Sequence, residues 1–442
     1  MRSISIALVF LLATLPVPWI DADSGSAPAG RFHVSDDQLG ALVEGLLEEN
    51  PQVRSLSARS ESVRARMDQV GSLPDPLLNY RFFAETPETR VGPQEHMLEI
   101  SQGVPWRGKR RLQTKRAEHL ASGLSWEAED LERQLVASLK RRYYEAAYLQ
   151  EALTVNREER ELLKRFEASA LTRYTTGQGI QQSVVRVQTE ISRLSDRATD
   201  LQKRLAIVTR GIAELIAHPE RDLFLEPIVL TLPELEYDGA EIETRALAGH
   251  PRVHAVEQML EADRVWADRR ALESKPDFRF GLGYTLVGSR DDPAGVTNPP
   301  PDNGQDILAF SVGVSIPMQR KKIRAGVAEV RASERANGEM LNAVQDRLRF
   351  AIQEALLQLE SLDERARFNL EVIIPQAGES LASAEAAYTS NRLDFLDLLE
   401  AERILFQSRL AYHRLVADFW IATADLERSA AHPFPALGER HE

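Results

Sequence analysis

An internal repeat limits the possible folds most, because two half-chains of about 200 residues follow one plan. Three pairs of segments match: NPQVRSLSARS with HPRVHAVEQML, ISQGVPWRGKRR with VGVSIPMQRKKI, and YTTGQGIQQSV with YTSNRLDFLDL. Spacing and alternation predict helix, strand, strand, very long helix, turn and helix in each half. We place the two repeats at residues 31–235 and 236–430.

Each half contains two short segments in which apolar residues occupy every second position, as in a strand with one apolar face. DFRFGLGYTLVG, at residues 277–288, is the clearest, and residues 306–316 follow the same pattern. Weaker candidates in the first half are residues 77–84 and 95–104. Long helices are expected at residues 109–171 and 321–387, each about 95 Å long, and Pro375 should interrupt and bend the second.

These strands pose a closure problem. Four strands with an apolar outer face and a small or polar inner face cannot close alone, since single-chain membrane barrels begin at about eight strands. Open strand edges are prohibitively costly in lipid. We therefore predict that several copies share one transmembrane β-barrel, and that the long helices continue it as a hollow wall outside the membrane. The alternative is a small soluble sheet that caps a helical bundle, which leaves the matched strand positions unexplained.

The N-terminal residues 1–23 are predicted to be a signal peptide. Arg2 precedes an apolar run from Ile4 to about Leu15, which is too short to span a bilayer but typical of a secretory signal. A buried N-terminal helix is the alternative. Because no later stretch is long and apolar enough to span, an exported chain of this kind is periplasmic, secreted or held in a membrane by β-structure.

Composition excludes several classes of function. The formal net charge of −13 argues against general nucleic-acid binding. The chain has no cysteine, which excludes disulfides, thiolate metal sites and cysteine nucleophiles. No catalytic motif is present, so we expect no enzyme and no cofactor. His250 and His254 could reach one metal ion, but His250 stands where Asn50 should cap a helix in the first half, and we predict no metal site.

Basic residues follow the second strand of each half. The predicted membrane-interface set consists of Trp106, Arg107, Lys109, Arg320 and Lys321. Cations at a helix start oppose its dipole, so another interaction should favour them. Anionic lipid headgroups would do so, and tryptophan is common at that depth. A solvated, charged helix end is the alternative reading.

A family resemblance is carried by LPDPLLNY, by VGPQEHMLEISQGVPWRGKR and by the two predicted turns that begin YTTGQG and YTSNRL. The chain resembles the outer-membrane factor family, the TolC-type exit ducts of tripartite efflux systems. The resemblance runs from about residue 35 to 430 and is most like the heavy-metal resistance branch, of cobalt-zinc-cadmium and copper-silver type. It implies a homotrimer with a shared 12-stranded barrel and an α-barrel of long helical hairpins. It also implies a place in the outer membrane, extending into the periplasm.

The resemblance further implies partners and a passive function. The partners are a periplasmic adaptor protein and an inner-membrane pump, of the resistance-nodulation-division type. The duct would conduct substrates such as metal cations or drugs. A soluble periplasmic coiled-coil adaptor or scaffold is the alternative, although adaptors have one helical hairpin flanked by lipoyl-like domains, and this chain is expected to have two hairpins.

Family membership would place both hairpin turns at the periplasmic tip that meets the adaptor. The corresponding residues are Tyr174, Gly177 and Gly179 in the first turn, and Tyr388, Asn391 and Arg392 in the second. Glycine and asparagine tolerate the positive φ that such turns require.

The family's gate carries acidic rings just after the second turn, which points to Asp397 and Glu400, with Asp394 as a further acid at the lip. Their i, i+3 spacing places Asp397 and Glu400 on one helix face. In a trimer, two rings of carboxylates would disfavour anions and hold cations. The alternative is that these are ordinary acids stabilised by the dipole at a helix start.

Overall fold

The computed structural model describes residues 36–220, 222–234 and 237–432, so the predicted signal peptide lies outside the described residues. The helices are α1 (Asp37–Glu49), α2 (Pro51–Gly71), α3 (Lys109–Thr175), α4 (Gln181–Leu215), α5 (Gly239–Gly249), α6 (Pro251–Ala271), α7 (Pro293–Thr297), α8 (Arg320–Phe368), α9 (Ile374–Thr389) and α10 (Phe395–Ala430). The strands are β1 (Leu77–Phe82), β2 (Glu88–Thr89), β3 (Gly92–Val104), β4 (Phe278–Val287) and β5 (Ile307–Val314). The predicted element order occurs in both halves, and β2 and α7 are additions in the loops.

Equivalent caps begin α2 and α6. The Asn50 side chain accepts a hydrogen bond from the Gln52 amide at 2.8 Å, and His250 Nδ1 accepts one from the Arg252 amide at 3.0 Å. Proline occupies the first turn of both helices, where its missing N–H costs nothing. The two caps confirm the helix starts that the repeat predicted.

α3 is the central helix of a wall of long helices. Its first part packs between α2 and α6, and its last part packs between α4 and α10. α8 packs on the far side of α6 and of α10. The margins of the wall are therefore α2 and α4 on one side and α8 and α9 on the other.

α8 buries one side and exposes another. Ile352 and Leu359 are fully buried in a cluster with Phe419 of α10. Phe350, Leu357 and Phe368 are exposed, and at about 100° per residue they form one stripe. Large apolar side chains in a stripe on a helix surface are typical of a surface that another helix covers.

The predicted interruption at Pro375 takes the form of a π-helical turn. Asn369–Ile373 is a π-helix, and the Ile374 amide donates to the Asn369 carbonyl, five residues back. Proline supplies no N–H and its ring crowds the preceding carbonyl, which a wider turn relieves. The backbone stays in the right-handed helical region at Asn369, Ile373 and Ile374, so α8 and α9 form one helical run.

The four longer strands form one antiparallel sheet in the order β1-β3-β4-β5, and β2 pairs only with β3. The central pair, β3 and β4, joins the two halves of the chain. Within the described part of the chain, no strand covers the outer edge of β1 or β5. None of the described helices has a stretch that is long and apolar enough to cross a membrane.

Candidate functional site

The two faces of the sheet differ sharply in chemistry. Strand register aligns two rows of exposed apolar side chains on one face: Leu78, Ile100, Leu282 and Phe310, and next to it Tyr80, Leu98, Tyr284 and Leu308. The interleaved rows on the other face are Asn79, Glu99, Gly283 and Ala309, and Leu77, Ser101, Gly281 and Ser311. Phe310 is 80% exposed. An apolar face of this extent on an exposed sheet marks contact with lipid or protein.

The predicted membrane-interface residues lie where the sheet meets the helices, but they are not equivalent. Trp106 stacks on Phe278 with ring centroids 6.1 Å apart. Arg107, Arg320 and Lys321 are exposed, and Arg320 and Lys321 line an open depression of about 610 Å³.

Lys109 differs from the other predicted interface residues. It is only 5% exposed, and its ammonium donates to Asp277 at 2.7 Å and to the Lys275 carbonyl at 3.1 Å. The pKa of Asp277 is lowered; burial alone would raise it, but the hydrogen bonds from Lys109 and from the Trp106 amide outweigh that effect. Lys109 therefore ties α3 to the start of β4, and its burial keeps it away from a headgroup.

The two hairpin turns have the same backbone hydrogen bonds. Gly177 and Asn391 have φ values of 73° and 56°, and their amides donate to the carbonyls of Tyr174 and Tyr388. In each turn the amide of the following residue donates to the carbonyl of the residue five positions earlier. This pair of bonds is the Schellman motif, which ends a helix with a left-handed residue. The expectation of positive φ is confirmed at both positions.

Other predicted tip residues have distinct environments. Tyr174, Asn391 and Arg392 are exposed, whereas Tyr388 is only 8% exposed and packs on Phe395 with centroids 5.5 Å apart. Gly179 has no positive φ, but a Cβ there would lie 3.1 Å from the Cβ of Arg173. Tyr388 is thus part of the core beneath the turns and not a surface that an approaching protein could contact.

Arg173, which sequence reasoning missed, joins the two turns. Its guanidinium lies 4.1 Å from the Tyr388 ring and donates to the carbonyls of Tyr388 at 2.6 Å and Thr389 at 3.0 Å. It also donates to Asn391 Oδ1 at 3.3 Å. A cation that binds the last carbonyls of α9 stabilises the end of that helix. Its position next to Tyr174 in the repeat was the available signal.

The three predicted gate acids lie at the start of α10. Asp394 is the N-cap, and its side chain accepts from the Phe395 amide at 2.6 Å. Asp397 and Glu400 are exposed on one side of the helix, and Glu400 pairs with Arg403 at 2.5 Å. Asp397 and Glu400 line a groove of about 470 Å³ between α4 and α10. The structure thus brings the two acids together in one concave surface, as their spacing predicted.

Glu402 and Glu159, two of the three further glutamates in this groove, were not singled out from the sequence. Glu402 is only 3% exposed, and its Oε1 atom is buried without a hydrogen-bond partner. Burial raises its pKa to about 8, with further contributions from the charges of Glu159 and Glu190. Burial likewise raises the pKa of Glu159 to about 7. In the sequence, both could have been found as acids at positions where the helical periodicity places core residues.

The histidine pair is structural. His250 is buried and caps α6, while His254 bonds to Glu257 at 3.0 Å and packs on Trp126. Among residues 36–220, 222–234 and 237–432, no group of three or more His, Asp or Glu side chains is arranged to hold a metal ion.

Comparison with solved structures identifies the fold. The outer membrane protein VceC of Vibrio cholerae has a TM-score of 0.74 at 16% identity, covering 90% of this chain and 97% of VceC. CusC gives 0.77 at 15% identity, over 98% of this chain and 100% of CusC. The open-state outer membrane channel MtrE of Neisseria gonorrhoeae gives 0.69 at 16% identity, over 89% of each chain.

This chain has the fold of those outer-membrane channels. No protein-family model matches the sequence, and no curated protein matches it at a significant level. Of the expected fold class, the mainly helical character with a small sheet is confirmed, and the shared 12-stranded barrel stays a prediction. The three likenesses have similar TM-scores, so the heavy-metal branch stays a prediction.

Proposed function

We propose that this protein is the outer-membrane exit duct of a tripartite efflux complex, a passive channel without a catalytic step. Three copies would close a 12-stranded barrel, and their helices would form a hollow cylinder that extends into the periplasm. A periplasmic adaptor and an inner-membrane pump would supply substrate at the far end, with metal cations or drugs as the proposed cargo. Assignment to the heavy-metal resistance branch is part of this proposal.

The sheet carries the proposal. Its apolar face is exposed, its other face is mostly small or polar, and the outer edges of β1 and β5 lack a partner within the described residues. In water such a face attracts other copies, and in lipid each open edge would leave backbone groups unsatisfied. Pairing β5 of one copy with β1 of the next removes both problems at once.

The helical wall supports the same assembly. α8 and α9 form the margin on the β5 side, and α2 and α4 form the margin on the β1 side. The exposed stripe of Phe350, Leu357 and Phe368 lies on α8. When β5 meets β1 of a neighbour, the first part of α8 would meet α2, and the stripe, which lies beyond the length of α2, would meet α4. Helices and strands would thus close together.

Specific residues then have proposed roles. Asp397 and Glu400, with Asp394 at the lip, would form the acidic gate. Tyr174 and the exposed backbone of both turns would contact the adaptor. Trp106, Arg107, Arg320 and Lys321 would contact outer-membrane lipids, and the exposure of the three basic residues supports this role. Lys109 and Tyr388 are left out of these surfaces because they are buried.

Membrane fractionation and mass measurement test the assembly. We expect the mature protein in the outer-membrane fraction, extracted only by detergent, with the mass of three copies by light scattering. A protein that stays soluble and monomeric without detergent would refute the duct and would favour the soluble scaffold.

Planar-bilayer recording tests the gate. Asp397→Ala with Glu400→Ala should raise single-channel conductance and lower the preference for cations, because the carboxylate rings narrow the pore and attract cations. Asp196→Ala with Asp200→Ala removes the same charge from exposed positions of α4 and is the matched control. Equal conductance and selectivity in the gate variant and the wild type would remove these acids from the gate.

A further inference from the structure

A buried carboxyl group lies where the helix that carries the gate acids packs against the first hairpin. Glu402 is on α10, Glu159 on α3 and Glu190 on α4, and all three line the groove of about 470 Å³. Glu402 is buried with its Oε1 atom lacking a hydrogen-bond partner, and Glu159 is half-buried. A buried ionised carboxylate without a partner is costly, so this packing favours the neutral acids.

The nearby cations do not form a partner for Glu402. From α4, Arg193 pairs with Glu190 at 2.9 Å, while Arg186 and Arg197 line the groove. On α10 itself, Arg403 pairs with Glu400 at 2.5 Å.

Two more charged groups act at this interface. Asp397 lines the groove and adds negative charge. On α3, Glu158 pairs with Arg409 of α10 at 2.7 Å, outside the groove lining. No charged residue of α9 lines the groove. Glu159 and Glu190 therefore repel the charge of Glu402, while Arg193 and Arg403 pair with other acids. Arg197 attracts the charge of Glu159, but burial outweighs this effect.

We propose that Glu402 and Glu159 form a protonation-controlled latch that holds α10 against the α3–α4 hairpin. The latch is closed when both carboxyls are protonated. Each carboxyl loses one proton to solvent on ionisation, and the resulting carboxylates repel each other and Glu190 at an apolar helix contact. Relief of this repulsion requires that α10 move away from α3 and α4 or that water enter the groove. As a regulator of the gate, the latch rests on the proposed function; as a movement of α10, it does not.

The pH at which the latch responds follows from its two acids. The pKa of Glu159 is raised to about 7 and that of Glu402 to about 8, so both are mostly neutral at pH 6 and ionised at pH 9. The stabilisation of the closed contact by the protonated acids is fully present below the ordinary glutamate pKa, and it is lost as the pH rises through these raised pKa values. The latch is thus expected to open between pH 7 and 8.

The absence of native cysteine allows a direct distance measurement. Thr189→Cys on α4 and Gln407→Cys on α10 place spin labels at exposed positions on the two sides of the groove. The labelled chain is diluted with unlabelled copies and measured in detergent by double electron–electron resonance. We expect one short, narrow distance at pH 6 and a longer or broader distribution at pH 9, with the midpoint between pH 7 and 8.

Glutamine variants decide the cause. Glu402→Gln or Glu159→Gln imitates the neutral acid and should keep the short distance at pH 9. Glu161→Gln, an exposed acid on α3 that pairs with Lys164, is the matched control and should leave the pH response unchanged. An unchanged wild-type distance from pH 6 to 9 would overturn the latch, as would a full pH response in both glutamine variants.

Parallel bilayer recordings separate this inference from the proposed function. A pH-dependent distance in a protein that forms no pore would keep the latch and refute the duct. A conducting pore with a pH-independent distance would refute the latch alone. In a conducting wild type, the open probability should rise with the distance between pH 7 and 8, and Glu402→Gln should remove that rise.

Discussion

Replacement of His250 by asparagine should remove a pH sensitivity that is confined to the second repeat. His250 is 4% exposed and caps α6 through Nδ1, which accepts the Arg252 amide and so must be unprotonated. Asn50 makes the same cap in the first repeat with a group that does not titrate. The chain therefore supplies its own pH-independent version of the site.

The magnitude follows from the pKa of His250. The pKa is lowered from 6.5 to about 4, mainly by burial and also by the nearby charges of Arg133 and Arg428, while a hydrogen bond with the backbone of Arg428 opposes the fall. The unfolded chain thus binds the proton more tightly than the folded chain. The stabilisation is fully present above pH 6.5 and is lost as the pH falls towards 4, a loss of about 3 kcal/mol at about 1.4 kcal/mol per tenfold change.

Denaturant unfolding in detergent, followed by circular dichroism from pH 4 to 8, measures this loss. The wild-type free energy of unfolding, relative to that of His250→Asn, should fall by about 3 kcal/mol between pH 7 and 4. Asn50→Ala should cost about 1 kcal/mol at every pH, since it removes a cap but no titrating group. Parallel pH curves for the wild type and His250→Asn would refute the reasoning, because the buried imidazole would then not resist protonation.

Two further predictions concern contacts between the repeats. Arg173→Leu removes charged hydrogen bonds, worth about 1.5–3 kcal/mol, from the end of α9. The backbone amides of residues 386–392 should therefore exchange with deuterium more than tenfold faster, and unchanged exchange would contradict the role of Arg173. Lys140 and Glu427 form a buried pair at 2.5 Å between α3 and α10, and Glu427→Leu alone should cost about 3–5 kcal/mol. Lys140→Met combined with Glu427→Leu should recover most of that loss in denaturant unfolding, and a double variant as unstable as the single one would exclude an uncompensated charge as the cause.

The parts of the fold that depend on local sequence patterns, the strands and the helix starts, were predictable. Period-two alternation located β4 and β5 within two residues at each end, and the Asn-Pro and His-Pro pairs located the starts of α2 and α6. The long helix predicted at residues 109–171 ends four residues later, in the turn that contains Gly177. These features depend on neighbouring residues, which a sequence displays directly.

Contacts between distant segments were not predictable in the same way. In the sequence, Lys109 is one of several basic residues at a helix start, and only the structure shows that it is buried in a contact with Asp277. Tyr388 resembles Tyr174 in the repeat, yet it is covered because α10 folds back and brings Phe395 against it. Glu402 follows Asp397 and Glu400 in an acidic run, and its burial depends on which side of α10 faces α3.

At the tip, the contact between the halves cannot be symmetric, although both halves retain the same turn geometry. Arg173 of the first half binds the carbonyls that end the long helix of the second, but the equivalent of Arg173 in the second half is Ala387, which has no donor to return. The equivalent of Glu400 in the first half is Arg186, and both line the same groove with opposite charge. At these two pairs of equivalent positions, the cation comes from the first half, and its counterpart in the second half is not basic. Two copies of the first half would lack the carboxylate of Glu400, and two copies of the second would lack the Arg173 contact, so this arrangement of the tip depends on two unlike halves.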